Sequence, residues 1–390
     1  MLKYYKSTAY HGLKWFEEGS YRCVNITNLS ITRRQAALMG LAALPYCVSA
    51  GAGRAKDRVD IATDKAAEFI LKMQEADGSF TDSSARQSAR NGYAMTALGI
   101  MALASIGHQP VDPSREGVAM KKALDFILRR DQGRGPKEYF GSDGSRMYGH
   151  GITTLCLTEM LGMSVTRTQE ARLREVTTKA VNLILTSQNV RKSSPKYRGG
   201  WRYKPDSHDS DLSVTVWQLM ALRSAKNAGL NVPKEAIDMA VSYLKRSYFS
   251  PRNARGEPTN LRSGCGYIPG SPPRYSTAAA GLLSLQVCGE YDTPEVRGTT
   301  NWLVNRPVNS KEQWFYYGTY YYAQGMQKRE KHIADRARQL TEDVLLKLQR
   351  ADGSWEGMDG MERSAGRIYC TAMATLSLSV KHHFLPIYQH

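Results

Sequence analysis

Two seven-residue segments of this chain are near-copies of each other although they lie far apart. Residues 74–80 read QEADGSF, and residues 349–355, 275 positions later, read QRADGSW. A third, looser copy begins at Gln188, 114 positions after Gln74, and reaches its aromatic residue at Trp201 after an insertion. Both separations fit a period of about 55 residues, which predicts six tandem units. Units of this size bury their apolar faces only against their neighbours.

Each unit has the same internal order. An amphipathic helix comes first, and in residues 65–73 the apolar side chains of Ala66, Phe69 and Ile70 recur at helical spacing. A turn at Gly78 ends this helix, because glycine adopts left-handed backbone at little cost. A second helix follows, apolar almost all round and therefore buried. We predict these buried helices at 93–104, 152–161, 214–225, 276–287, 316–324 and 369–380.

Six buried helices that alternate with six amphipathic ones predict an inner ring sheathed by an outer ring. The fold class is therefore all-α, an α6/α6 toroid that occupies residues 60–385. Residues at the starts of the inner helices face one end of such a barrel, which makes them the candidate functional residues.

The Gln-x-x-x-Gly-x-Phe/Trp segments resemble the QW motifs of squalene and oxidosqualene cyclases, which protein prenyltransferase β subunits carry in looser form. The resemblance covers roughly residues 60–385. It implies membership of the terpenoid cyclase and protein prenyltransferase superfamily, with a central cavity at one end of the barrel. It identifies the architecture and leaves the reaction open, because one fold carries many functions.

Residues 1–52 form an N-terminal extension outside the predicted toroid. Residues 30–35 read SITRRQ, an apolar run follows at 36–44, and the small residues Ala50, Gly51 and Ala52 would suit a signal peptidase. This order resembles a twin-arginine export signal and predicts a periplasmic or secreted protein. The alternative is a cytoplasmic protein with an irregular extension.

The net charge restricts the partners. The chain of 390 residues carries a formal charge of +17 at pH 7, and this favours anionic partners, including peripheral contact with an anionic membrane. Its basic residues are scattered, as at Lys121-Lys122 and Arg129-Arg130, and form no stripe interleaved with aromatic residues. We therefore expect no nucleic acid partner. The cysteine spacing matches neither a metal site nor a disulfide framework, and we expect no cofactor.

Asp209 and Asp211 lie where squalene-type cyclases, by resemblance, carry an Asp-x-Asp-Asp acid motif. Asp211 aligns with the first aspartate of that motif, whereas Ser213 and Val214 stand where the next two acids should be. The family's proton donor is thus missing from its place, and the single toroid also departs from the two-domain cyclases. The simpler interpretation is that Asp211 caps the helix that follows it.

His150 is a second candidate catalytic residue, because it opens an inner helix in the segment Tyr148-Gly149-His150-Gly151. Resemblance to zinc prenyltransferases would require Asp, Cys and His ligands, and His150, Asp211 and Cys265 do not match the spacing of that set. We therefore predict no metal. A histidine hydrogen-bonded at the cavity rim is the alternative role.

Residues 314–322, WFYYGTYYY, form the most aromatic segment of the chain. Tyr317 and Tyr320 share one helical face, with Tyr316 near it, and an aromatic face could line a pocket for an isoprenoid or another apolar ligand. Core packing with bonded hydroxyls is the alternative.

Three functions remain open from the sequence. The first is a cyclase- or prenyltransferase-like protein that binds an apolar small molecule or lipid, with catalysis uncertain. The second is a non-catalytic toroid with a protein or glycan partner, and the third is a polysaccharide lyase or hydrolase. The candidate catalytic residues are His150, Asp211 and Asp209, and the candidate ligand-binding residues are Tyr148, Arg202, Tyr275, Trp314, Tyr316, Tyr317 and Tyr320.

Overall fold

A computed structural model describes residues 55–86, 88, 90–129, 139–306, 308–382 and 384–389. The predicted export signal and the whole of residues 1–52 lie outside these described residues. Within them, no helix is both long and apolar enough to cross a lipid bilayer. The helices are, in chain order, α1 (Arg58–Lys72), α2 (Gly92–Ser105), α3 (Arg115–Leu128), α4 (Arg146–Met160), α5 (Arg167–Gln188), α6 (Leu212–Asn227), α7 (Lys234–Ser247), α8 (Tyr275–Val287), α9 (Pro294–Val304), α10 (Phe315–Gln327), α11 (Lys331–Leu348), α12 (Gly360–Ala365) and α13 (Arg367–Leu378).

The odd-numbered helices α1 to α11 form the outer layer. Each buries one apolar face and exposes a charged one, as the amphipathic pattern predicts. Several begin at a side chain that caps their free N–H groups, namely Asp57, Ser114, Thr166 and Thr293.

The inner ring consists of α2, α4, α6, α8, α10 and α13. In α2 every residue from Tyr93 to Ser105 is buried, and in α8 every residue is buried. Each inner helix packs against the next, and α13 packs against α2, so the ring is closed. This arrangement confirms the predicted α6/α6 toroid. The short helix α12 is an addition that the periodicity did not predict.

The repeated glutamine joins neighbouring units. Gln74 Nε2 donates to the Gly78 carbonyl in its own turn at 3.0 Å and to the Ala119 carbonyl of the next outer helix at 2.8 Å. Gln349, in the last repeated turn, makes the equivalent of the second bond to the Ala62 carbonyl of α1, the first outer helix, at 2.8 Å. Gln188 makes the same pair of bonds to Gly199 and Ala236. The glutamine thus joins its own turn to a backbone carbonyl group in the first turns of the next outer helix.

The aromatic residue that ends each of these turns is fully buried. The backbone N–H of Phe80, Trp201 and Trp355 donates to a threonine of the inner helix in the same unit, at 3.0, 3.0 and 3.1 Å. These threonines are Thr96, Thr215 and Thr371. Each turn therefore fixes an outer helix to its own inner helix as well as to the next unit.

The C-terminal residues close the end of the barrel at which the inner helices terminate. Leu385, Ile387 and Tyr388 are buried. The Ile387 N–H donates to Glu159 near the end of α4 at 3.1 Å, and the Tyr388 hydroxyl bonds that of Tyr320 inside the barrel. In the described part of the chain, the opposite end of the barrel, where the inner helices begin, is open.

Candidate functional site

A cavity of about 920 Å³ opens at the N-terminal ends of the inner helices. This volume lies in the range of small-molecule sites. Apolar and aromatic side chains from five inner helices line its interior, among them Met95, Leu98, Ile152, Trp217, Tyr317 and Tyr369. The ring interior is therefore a blind, largely apolar pocket.

Four exposed arginines surround the opening, and we call them the arginine mouth: Arg86, Arg90, Arg146 and Arg274. Arg146 is the first residue of α4, and Arg274 is the N-cap of α8. Among the described residues that line the cavity, none is Asp, Glu, His, Lys or Cys. Helix N-termini carry partial positive charge. The opening thus joins helix dipoles and guanidinium groups of the same sign, an arrangement that favours an anion.

Two residues of the opening have left-handed backbone. Arg146 and Trp314 have φ of 58°, and they are the non-glycine residues with positive φ in the described part of the chain. Both line the cavity. The Trp314 N–H donates to Asp359, the N-cap of α12, at 2.9 Å. Such strain persists where the surroundings impose it, and it concentrates at functional sites.

Asp211 lies behind the cavity wall and caps α6. Its Oδ1 accepts from the Val214 N–H and the Ser213 hydroxyl, both at 2.9 Å, and its Oδ2 lies 3.2 Å from Arg202 Nε. Burial raises the pKa of the Asp211 carboxyl, and the N–H, the hydroxyl and the guanidinium oppose that shift. Ser213 is also 2.5 Å from the Tyr148 hydroxyl. The predicted helix cap is confirmed, and a hydrogen-bonded chain leads from it to the cavity.

Arg202 lies next to this chain. It pairs with Asp209 at 3.1 Å as well as with Asp211, and its guanidinium lies over the rings of Tyr203 and Tyr267, 4.8 and 5.6 Å from their centroids. The two tyrosine hydroxyls are 2.5 Å apart, and both residues line the cavity. Arg202 therefore supports one polar wall from behind, while Asp209 lies towards solvent.

His150 lies outside the cavity lining, so the prediction that it borders the pocket is wrong. It is fully buried. Its Nδ1 accepts from the Phe140 N–H at 3.4 Å, and its Nε2 donates to the Ala180 carbonyl of α5 at 3.1 Å. Burial lowers its pKa to about 4. Both nitrogens of this neutral imidazole are occupied by backbone groups, so the side chain ties α4 to α5.

The aromatic segment divides between cavity and core. Trp314 and Tyr317 line the cavity. Tyr316 donates to the Glu356 carbonyl at 3.0 Å, and Tyr275 packs on Tyr322 with ring centroids 5.6 Å apart. Tyr320 lies parallel to Trp217, with centroids 6.0 Å apart, and so supports the cavity from outside. Of the predicted ligand-binding residues, Tyr148, Trp314 and Tyr317 line the cavity. Arg202 lies behind its wall, and Tyr275, Tyr316 and Tyr320 belong to the core around it.

The residues considered as zinc ligands do not converge. The Cys265 thiol is buried and donates to the Leu244 carbonyl, while His150 and Asp211 are occupied as described above. Nowhere in the described ranges do three or more His, Cys, Asp or Glu side chains gather as a metal-binding group.

The interpretation of the sequence missed the arginine mouth. A signal for it was present, because Arg146 and Arg274 stand at helix N-termini, where the helix dipole disfavours a positive charge. The exposed arginines at these two inner-helix starts were the features of the sequence that could have drawn attention to the opening.

Comparison with known proteins agrees with this architecture. The family profile of the prenyltransferase α/α-toroid domain matches residues 42–137 and 317–387. The chain has an α/α-toroid fold similar to that domain. This match supports the superfamily that the repeat predicts, and a type II terpene cyclase shares the toroid fold. No curated protein matches the toroid's sequence.

Two groups of solved structures share the toroid fold. An inactive variant of the α-1,6-mannanase GH76A of Salegentibacter, in complex with α-1,6-mannotetrose, is 11% identical with a TM-score of 0.59, covering 84% of this chain and 99% of that chain. A variant of the type II terpene cyclase MstE from Scytonema, in complex with geranylgeranyl dihydroxybenzoate, is 14% identical with a TM-score of 0.52, covering 85% and 98%. Likeness at these identities shows the fold alone.

Proposed function

We propose that the toroid binds an amphiphile, with an apolar tail in the central cavity and an anionic head group at the arginine mouth. The observation that carries this proposal is the combination of an apolar interior with four arginines at its opening and no carboxylate among the described lining residues. A lipid-like ligand that bears a carboxylate or a phosphate has this division of charge. We propose, from the twin-arginine-like sequence, that this binding takes place outside the cytoplasm.

The interior supplies the affinity and the mouth the orientation. Each buried methylene of a tail contributes about 0.8 kcal/mol, so a tail of about a dozen carbons outweighs much of the cost of association. Head groups that accept two N–H bonds from one guanidinium gain further affinity and a fixed direction. In the bound ligand the tail therefore lies inside the cavity, and the head group lies at its opening.

The lining argues against sugar hydrolysis. Glycosidases require two carboxyl groups that flank the scissile bond, and the mannanase variants that resemble this fold are inactive when two adjacent aspartates are replaced. Here the described lining residues include no carboxylate, and Asp211 is held behind the wall by Arg202. The same lack of a lining acid argues against cyclisation that starts with protonation.

Calorimetry with tetradecanoate and 1-tetradecanol, which differ in head group alone, tests the proposal. We expect the wild type to bind tetradecanoate at least tenfold more tightly. The double variant Arg90→Ala/Arg274→Ala should lose most of this preference and keep its affinity for the alcohol. The matched control Arg255→Ala/Arg262→Ala removes two exposed arginines outside the cavity lining and should retain the preference. A wild type that binds neither compound would refute the proposed function.

A further inference from the structure

The chain Tyr148–Ser213–Asp211 has a fixed hydrogen-bond direction. Asp211 is flanked by the Arg202 guanidinium, with Nε 3.2 Å from Oδ2, and this positive charge favours the carboxylate over the protonated acid. As a carboxylate, Asp211 accepts hydrogen bonds and donates none. The single hydrogen of the Ser213 hydroxyl is therefore used on Asp211 Oδ1, at 2.9 Å.

The same assignment of hydroxyl hydrogens extends from Ser213 to the cavity. Because Ser213 has donated its hydrogen to Asp211, it can only accept from Tyr148, and the 2.5 Å contact uses the hydrogen of the tyrosine hydroxyl. Tyr148 is half-buried and lines the cavity. What remains on its oxygen is a lone pair. A ligand group at this point meets an acceptor that has no hydrogen to give.

Its place along α4 limits which part of the ligand it can meet. Tyr148 is two residues after Arg146, about 3 Å along the helix axis, and both side chains line the cavity. The acceptor thus lies immediately inside the arginine mouth. It faces the atoms next to a bound head group and not the far end of a tail.

We propose that Tyr148 is the specificity-determining hydrogen-bond acceptor of the cavity, and that the ligand carries a hydroxyl beside its anionic head group. This inference rests on the proposed function and adds a second polar requirement to it. An amphiphile with an ether oxygen at that carbon would place two lone pairs against each other and bind less well.

Binding of 2-hydroxytetradecanoate and 2-methoxytetradecanoate tests this inference, since the two probes share tail and head group. The wild type should favour the hydroxy compound about tenfold. Tyr148→Phe removes the acceptor and should abolish the preference. Ser213→Ala leaves the tyrosine hydroxyl in place but frees its hydrogen for the ligand, so the methoxy compound should gain affinity and the preference should vanish or reverse.

Two matched variants separate specificity from structural damage. Tyr369→Phe and Ser276→Ala alter a tyrosine and a serine that line the cavity outside this chain, and both should keep the preference. Loss of affinity for both probes by the same factor in Tyr148→Phe would show a structural role and overturn the inference. Equal binding of both probes by the wild type would overturn it while the proposed function stands, whereas binding of neither probe refutes both.

Discussion

Arg146 and Trp314 hold a backbone conformation that glycine would adopt at lower cost. Both side chains line the cavity, and both residues begin an inner helix or precede it directly. The strain is thus coupled to the direction of the side chains. Local stability and ligand binding place opposite demands on these two positions.

Arg146→Gly separates the two demands. Relief of the left-handed strain, about 1–2 kcal/mol, offsets the added flexibility of an unfolded glycine, about 1 kcal/mol. We therefore expect a free energy of unfolding equal to that of the wild type or slightly higher, while tetradecanoate binds several-fold more weakly. Arg167→Gly, at the start of α5 with ordinary backbone, should lower stability instead. Denaturant titration of both variants checks this.

His150 should make stability depend on pH. Its pKa is about 4 in the folded state, against 6.5 for an ordinary histidine. Between these values the unfolded chain binds the extra proton, so the free energy of unfolding should rise by about 3 kcal/mol from pH 4 to 6.5. Below pH 4 the imidazole is protonated in the folded and in the unfolded chain, so its contribution to the free energy of unfolding no longer changes with pH.

Glu362 has the opposite effect on the pH dependence of the free energy of unfolding. Its contribution therefore has to be eliminated by mutation before that of His150 is measured. Burial raises the pKa of Glu362 from 4.5 to about 7, so its folded form keeps a proton and its contribution falls as pH rises through that range. The comparison is therefore between Glu362→Gln and Glu362→Gln/His150→Gln. Parallel pH profiles of the two variants would contradict the assignment to His150.

Single side chains were harder to place from the sequence than the helices that carry them. The position of Tyr148 at an inner-helix start placed it at the cavity wall. The same rule failed for His150, because its ring points away from the cavity and bonds the Ala180 carbonyl of α5. Which face of an inner helix meets the cavity depends on how the ring closes, and no local pattern records this.

At the scale of the element, the glycine of each repeated turn permits close approach as well as left-handed backbone. A Cβ on Gly78, Gly199 or Gly353 would lie 2.5, 2.1 or 2.2 Å from a carbonyl oxygen of the next outer helix. All three have positive φ. The repeat was visible in the sequence because this contact recurs between units. By contrast, α12 belongs to no repeat, and the periodicity could not predict it.

Gly353→Ala should therefore be more damaging than left-handed strain alone. It adds a clash with the Lys65 carbonyl of α1, and we expect a loss of about 3 kcal/mol. Gly289→Ala is the matched control, since φ there is 91° with no atom within 4 Å of the new Cβ. That variant should lose about 1 kcal/mol. Equal losses in thermal or denaturant unfolding would show that the contact between units contributes nothing.

At the scale of the molecule, the C-terminal residues help to hold the ring together. Deletion of residues 385–390 removes the buried side chains of Leu385, Ile387 and Tyr388 and the N–H donor of Glu159. At 1.5–3 kcal/mol for each apolar side chain, we expect a loss of about 5 kcal/mol. Tyr388→Phe, which removes a hydroxyl alone, should lose about 1 kcal/mol. A deletion variant as stable as the wild type in denaturant would contradict this closure.

Gln349 of the last repeat unit bonds Ala62 of the first. The repeat array is therefore closed, and neither of these units is a free end to which another repeat could be added. An open solenoid lengthens when a repeat is added, whereas a closed ring can only widen. The diameter of its central cavity therefore changes by one whole repeat at a time. A lineage built on this architecture would therefore fit its cavity to new ligands through the side chains that point inward. The number of repeats sets the diameter of the cavity, and the side chains that line it set the selectivity for ligands.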